Sequence, residues 1–189
     1  VTIERSIIFS GSPDAGDVIT HKIKLVNNGT CKAWLDDVMD DMADDPTVVP
    51  GSCTIVNDAG QSVGLATPML QTGRQIEFFF NETPGTFRIP MEPLEEITIK
   101  YDTTVDLYAV PGELMTATAH SGVFSSKDAP SSHDYGPIQD SASKRTRQVA
   151  MGHTIIWTNM PHTMGNDVTV GEEITYRVEV HVPEGTVPG

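Results

Sequence analysis

The sequence predicts an all-β chain built as a two-sheet sandwich followed by the opening of a second one. Three features carry that prediction. Apolar and polar residues alternate over short runs, clusters of Gly, Pro, Asn and Asp punctuate them about every 8–12 residues, and one stretch occurs twice. Gly16-Asp17-Val18-Ile19-Thr20-His21-Lys22-Ile23-Lys24-Leu25 returns as Gly171-Glu172-Glu173-Ile174-Thr175-Tyr176-Arg177-Val178-Glu179-Val180, an offset of 171 − 16 = 155 residues. No segment has a convincing helical period. The expected organisation is a full module over residues 1–125, a polar linker over 126–149, and an incomplete second module or a pair of donated strands over 150–189.

Bulk composition narrows the function classes. With 26 acidic and 12 basic residues the chain carries a formal charge of −14, a field that repels phosphate backbones and anionic lipid surfaces, so nucleic acid is not an expected partner. No run of 18 or more apolar residues is present, so no helical span of a bilayer is expected in this segment. The chain starts at Val1 without a signal-peptide pattern, and it reads as a segment of a longer protein.

The first strand is expected in Ser6-Ile7-Ile8-Phe9-Ser10, closed by the turn residues Gly11 to Gly16. The next strand places Ile19, His21, Ile23 and Leu25 on one face and Thr20, Lys22 and Lys24 on the other, the period of two of a sheet with one wet side. Asn27-Asn28-Gly29-Thr30 ends it, because an Asn-Gly step adopts positive φ at low cost. His21 stands on the inward face and reads as a core or rim residue.

Cys31-Lys32-Ala33-Trp34-Leu35 then runs into an acidic cluster. Asp36, Asp37, Asp40, Asp41, Asp44 and Asp45 are six aspartates in ten residues. Such a density of carboxylates suits a hard cation, calcium above all, although the spacing lacks the Gly and closing Glu of the helix-loop-helix site; the other reading is a strand end and solvated loop whose charges protect a sheet edge. Cys31 and Cys53 read either as a disulfide or as two buried thiols. Residues 48–60 are expected to form a strand, a turn, a second strand and a loop, and further strands are expected at 74–81 with Ile76, Phe78 and Phe80 sharing a face, 97–105 with Ile97, Ile99 and Tyr101 inward, and 115–124. Trp34, Ile19, Ile23, Leu25, Phe78, Ile97, Ile99 and Tyr101 make up the expected core.

These residues resemble a known family. Gly16-Asp17-x-Ile19-Thr20-x-x-Ile23-x-Leu25-x-Asn27-x-Gly29, Leu94-Glu95-Glu96-Ile97-Thr98-Ile99-x-Tyr101 and Pro111-Gly112 are similar to the conserved surface-protein repeat with the signature G-D-x-V-T-Y-x-I-x-V-x-N, a domain of unknown function (the eleventh such family). The resemblance covers residues 3–125 and, truncated, 150–189; His21 departs from its usual Tyr. It implies an immunoglobulin-like sandwich in tandem, extracellular or surface-attached proteins, and it supplies no catalytic residues. A Lys–Asn isopeptide staple of the kind known in some fimbrial sandwiches is not expected, since the first strand has no Lys.

Ser125 to Pro137 has linker composition, and Lys144, Arg145 and Arg147 form a small basic patch, read as solvated linker or as a dock for a neighbour's acidic loop. In the second copy, Ile155, Trp157, Ile174, Tyr176, Val178 and Val180 are the expected assembly residues, because a lone pair of strands is marginal in water. Their partners would be copies of the chain or neighbouring modules of the same chain.

Enzymatic constellations are mostly absent: the sequence contains no H-E-x-x-H or Cys-x-x-Cys, and His21, His120, His133, His153, His162 and His181 are scattered. Asn28 and Asn81 begin N-x-Thr sequons, so a glycan is expected at one or both if the producing cell glycosylates. The expected function is therefore a non-enzymatic structural module of a filament, sheath or stalk at the cell surface, requiring no cofactor unless calcium binds. An adhesin that holds a glycan or protein ligand is the alternative.

Overall fold

A computed structural model describes residues 1–35, 37–43, 46–63, 69–79, 89–121, 124–125, 134–160 and 169–184. The strands run in chain order as β1 (Thr2–Ile8), β2 (Val18–Val26), β3 (Ala33–Leu35), β4 (Asp37–Met42), β5 (Thr47–Val48), β6 (Thr54–Asn57), β7 (Met69–Thr72) and β8 (Gln75–Phe79). They continue as β9 (Ile89–Met91), β10 (Glu96–Thr104), β11 (Leu114–Ser121), β12 (Phe124–Ser125), β13 (Asp134–Tyr135), β14 (Ile138–Arg145), β15 (Ala150–Thr158) and β16 (Ile174–His181). The chain is all-β among the described residues and forms an immunoglobulin-like sandwich.

One sheet has the order β1-β2-β10-β5, with β6 also on β10, and the facing sheet has the order β14-β11-β4-β8-β7. A smaller sheet, β13-β12-β3-β9, continues the line of the second at one end. Alternation dictates the inner faces. Ile19, His21, Ile23 and Leu25 are buried while Thr20, Lys22 and Lys24 are half-buried, and the paired β10 adds Ile97, Ile99 and Tyr101 opposite Leu25, Ile23 and His21. Leu35, Val38, Ile76, Phe78, Ala117 and Ala119 meet them from the other side. Each fully buried large side chain contributes about 1.5–3 kcal/mol. Trp34 is only half-buried, at the margin of this core.

The Gly-Asp turn and the Asn27 turn that bound β2 have a structural account. Gly16 takes φ +83°, a conformation that costs Gly little, and its N–H reaches the Val105 carbonyl at 3.0 Å while Val105 N–H donates to the Asp17 carbonyl at 2.8 Å. The Asp17 carboxylate accepts from Asp14 N–H at 2.8 Å, and Thr20 Oγ1 donates to Asp102 at 2.7 Å. Asn27, 2% exposed, donates through Nδ2 to the Cys31 and Met91 carbonyls, both at 2.9 Å, and accepts from Gly29 N–H at 3.0 Å. These residues fasten turns.

Three expectations need correction. The first strand is not 6–10 but Thr2–Ile8, in register with β2 from Thr2↔Val26 to Ile8↔Thr20. The acidic stretch is not a strand end: β4 is an interior strand paired with β8 on one edge and β11 on the other. Residues 138–145 are not linker, because β14 pairs with β11 over its whole length, from Leu114↔Arg145 to Ser121↔Ile138. The basic residues accordingly fasten this sandwich to its own loops: Lys144 Nζ donates to the Phe9 carbonyl at 3.2 Å, Arg145 donates to the Gly112 carbonyl, and Arg147 pairs with Asp14 at 2.8 Å.

Candidate functional site: a buried clasp and an open hairpin

Arg5 from β1 and Asp40 from β4 meet between the sheets, Nη2 to Oδ2 at 2.8 Å, with both side chains fully buried. A charge out of water must be paired, and two further inner-face residues complete the cluster. Tyr101 donates its hydroxyl to the same Asp40 oxygen, and the His21 ring lies stacked on Tyr101, centroids 4.8 Å apart and planes 10° off parallel. Arg5 Nη2 also contacts His21 Nδ1. Because guanidinium only donates, Nδ1 accepts and the imidazole proton sits on Nε2, which donates to Thr103 Oγ1 at 2.7 Å. Arg5 also receives help outside the core, its backbone N–H donating to Asp140 of β14 at 2.8 Å.

Burial decides the protonation states. It raises the Asp40 carboxyl above its ordinary range, with the Arg5 charge and the Tyr101 hydrogen bond pulling the other way. Burial likewise pushes the Tyr101 hydroxyl well up, assisted by Asp40. For His21, burial and the nearby Arg5 charge both act downward, to about 3. In the folded chain His21 therefore stays neutral down to about pH 3 while the unfolded chain protonates it near 6.5. The unfolded state binds the extra proton, so this contribution is complete above pH 6.5 and is lost as pH falls towards 3, at about 1.4 kcal/mol per pH unit. Asp40 has the opposite sign, its raised value costing stability as pH rises through it. His21→Phe should remove the acid-side loss: between pH 7 and pH 4.5 the wild type should lose about 2–3 kcal/mol more than the variant in urea titrations. Parallel pH profiles for the two proteins would contradict this role of His21.

The cluster bears directly on the expected calcium site. Asp40 and Asp41 are neighbours on an extended strand and point to opposite faces: Asp40 is spent inside on Arg5, and Asp41 faces outward, accepting from Gln75 Nε2 at 3.0 Å and lying 3.5 Å from His120. They do not converge on one ion. Asp36, Asp44 and Asp45, together with the Asp37 side chain, fall outside the described residues. No group of three His, Cys, Asp or Glu with metal-ligand geometry occurs among the described residues.

Of the two readings of the cysteines, the structure has thiols: Cys31 and Cys53 are both free, Cys31 exposed and Cys53 half-buried. Cys31 follows β2, whose Val26 pairs with Glu96, whereas Cys53 precedes β6, whose Thr54 pairs with Lys100. The two lie on opposite sides of β10 and more than four residues apart along it, beyond the ~7 Å reach of a bridge. Cys31 is exposed, while burial pushes the Cys53 thiol up to about 11. A thiol reagent at pH 8 should therefore label Cys31 at least ~10-fold faster than Cys53 in the folded chain, and both equally in urea; equal native rates would show Cys53 to be open. Of the two sequons, Asn28 lies in an exposed turn with its Nδ2 on Thr2 Oγ1 at 2.9 Å, and Asn81 is outside the described residues.

The second feature is β15–β16, a two-stranded sheet hydrogen-bonded to no other strand among those described. Its inner-type positions are open to solvent and, His153 apart, apolar: Met151, His153 and Ile155 on β15 share a face with Val180, Val178 and Tyr176 on β16, Val178 being 60% exposed, whereas Trp157, 51% exposed, pairs with Thr175 on the other face. Ile174, at the start of β16, is half-buried. The opposite face of β16 carries Thr175, Arg177, Glu179 and His181, with Arg177 and Glu179 paired at 3.2 Å. The pairing shifts at Ile156, which bulges out of register.

Between the two sheets of the sandwich lies a cavity of about 220 Å³, open at one end, lined by Ile7, Ile19, Met42, Val105 and Met115 beside His21 and Thr103. Neither the expected acidic cluster nor the cysteines contribute to it except through the adjoining Met42. Sequence reading missed Arg5 altogether, and its only trace was a charged residue at an alternating inward position between Ile3 and Ile7.

No helix among the described residues is long and apolar enough to cross a membrane. No family model matches the chain, and no curated protein matches it either. Solved structures do. The chain is similar to the 35 kDa C-terminal fragment of a major pilin of Streptococcus agalactiae, with TM-score 0.53 and 10% identity, over 82% of this chain and 57% of that one. It is also similar to a backbone pilin of Streptococcus pyogenes, with TM-score 0.48, 13% identity and coverage of 82% and 37%, and to the collagen-binding domain of a Staphylococcus aureus adhesin, with TM-score 0.42, 6% identity and coverage of 74% and 94%. The chain thus spans about two fifths to three fifths of these two pilins, and what it shares with the Streptococcus agalactiae pilin is the immunoglobulin-like β-sandwich.

Proposed function

We propose that the chain is a non-enzymatic structural module of a long extracellular surface protein, assembling with other modules into a filament, sheath or stalk. One observation carries this reading: a sandwich closed around its own core is followed by an amphipathic two-stranded sheet whose apolar face is open. An open apolar face of this kind marks a surface that another protein segment covers. The pilin-like fold and the resemblance to tandem surface repeats support the same reading, and the buried Arg5–Asp40 pair suits a module that must resist shear between its sheets. Antibodies raised against residues 1–145 provide the test. In electron micrographs of the cells that make the protein they should decorate regular surface structures at repeating intervals. Label confined to the cell interior would sink the proposal.

A second reading, an adhesin-type module, is favoured by the cavity of about 220 Å³. It is somewhat larger than the ~150 Å³ that holds benzene in an engineered core, so it suits one small apolar group of a ligand rather than a whole glycan. Saturable binding of a defined glycan or matrix protein by a monomeric chain would favour this alternative.

A further inference from the structure

The hairpin β15–β16 reproduces the start of the first sandwich in its hydrogen bonding as well as its sequence. In the first copy Ile3 pairs with Leu25, Arg5 with Ile23 and Ile7 with His21. In the second, Met151 pairs with Val180, His153 with Val178 and Ile155 with Tyr176. The preceding turn is repeated too. Gly171 takes φ +88° as Gly16 takes +83°; Glu172 N–H donates to the Thr169 carbonyl at 3.1 Å and its carboxylate accepts from Thr169 N–H at 2.9 Å, as Asp17 does with Asp14 at 3.2 and 2.8 Å. The hairpin has therefore adopted the geometry of a sandwich strand pair without the strands that cover such a pair.

The first copy shows what covers it. β2 is paired on both edges, with β1 on one side and β10 on the other. Transposed by 155 residues, Ile97, Ile99 and Tyr101 of β10 would stand opposite Val180, Val178 and Tyr176. We propose that β16 accepts, along its free edge, an antiparallel strand of about nine residues with the alternating apolar chemistry of β10, contributed by a further module of the same type. A second copy of residues 1–189 does not have this strand to give: its β10 is paired with β2, β5 and β6, and its Ile97, Ile99 and Tyr101 are fully buried. The hairpin differs from that of the first sandwich in one respect: His153 and Tyr176 stand where Arg5 and His21 do, so it offers no guanidinium to pair with a carboxylate in the place of Asp40.

This inference rests on the reading of the chain as an assembling module and deepens it, since strand addition joins main-chain hydrogen bonds to alternate side-chain contacts. The test uses the 189-residue chain with a synthetic peptide of residues 95–105 as the probe strand, at up to millimolar concentration. Amide hydrogen exchange over 174–182 should slow at least ~10-fold. Val178→Glu, on the apolar face, should abolish the protection; Thr175→Glu, on the polar face, should leave it in place. Unchanged exchange over 174–182, protection on β2 in place of β16, or protection that survives Val178→Glu would each overturn the inference. Regular antibody decoration of surface structures together with any of those results would remove the strand partner alone and leave the proposed function standing.

Discussion

Arg5→Ala is expected to lower the stability of the sandwich by about 3–5 kcal/mol, because it leaves the Asp40 carboxylate buried and uncompensated. Arg5 and Asp40 are both fully buried and 2.8 Å apart, and the Tyr101 hydroxyl cannot neutralise a charge that it only solvates. At roughly 2–4 °C per kcal/mol for a domain of this size, the midpoint of thermal unfolding should fall by about 6–20 °C. Asp40→Ala should cost a similar amount by stranding the guanidinium. The double replacement Arg5→Met with Asp40→Leu should recover most of the loss, or exceed the wild type, since an apolar pair in place of a buried ion pair is often neutral or stabilising by about 1–4 kcal/mol. The orphaned Arg5 Nε and Asp40 Oδ1, which find no partner among the described residues, make that recovery more expected here, because the pair is imperfectly satisfied. Urea titrations of the four proteins decide it. A loss below 1 kcal/mol in both single variants would mean that water reaches the pair.

Residues 1–125, the module that composition alone delimits, are expected not to fold, whereas residues 1–149 should fold cooperatively. The deleted segment contains β14, which covers the whole free edge of β11, packs the half-buried Ile138 against the core and supplies the Asp140 carboxylate to Arg5 N–H. It also brings Thr146, 3% exposed, whose hydroxyl donates to the Val110 carbonyl at 2.8 Å, and Arg147, whose N–H donates to the Pro13 carbonyl at 2.9 Å. About eight ladder hydrogen bonds at ~0.5–1.5 kcal/mol each, with the burial they accompany, are on the order of the ~5–15 kcal/mol by which a domain is stable at all. Dispersed amide resonances and a cooperative melt in the 1–149 chain, and their loss in the 1–125 chain, are the expected results. A 1–125 chain that melts like the longer one would demote β14 to a surface addition.

Both expectations concern residues that a linear reading places in solvent, and the reason is the same in each case. A carboxylate in a run of six aspartates looks solvated unless the cation that pairs with it is known, and Arg5 lies 35 positions upstream, on a different sheet. Likewise β14 alternates Ile138, Asp140, Ala142 and Lys144 against Gln139, Ser141, Ser143 and Arg145, so neither face has the apolar contrast by which strands are recognised. Its strand character comes from the edge it covers.

What the sequence determined by itself is the part governed by local periodicity. Alternation fixed the inward faces of β2 and β10, since a period of two leaves no choice once one face is apolar; the Gly-Asp turn and Asn27 fixed where β2 begins and ends; and the repeat at 155 residues fixed the kinship of the two hairpins. The tertiary structure alone decided which strands became neighbours. Pairing across tens of residues made β4 an interior strand, turned Asp40 inward onto Arg5, drew β14 out of the supposed linker and kept Cys31 and Cys53 on opposite sides of β10. It also left β15–β16 uncovered. Burial of a charge, the depth of a strand and the distance between two thiols are properties of pairs, and the chemistry of one partner does not specify where the other lies.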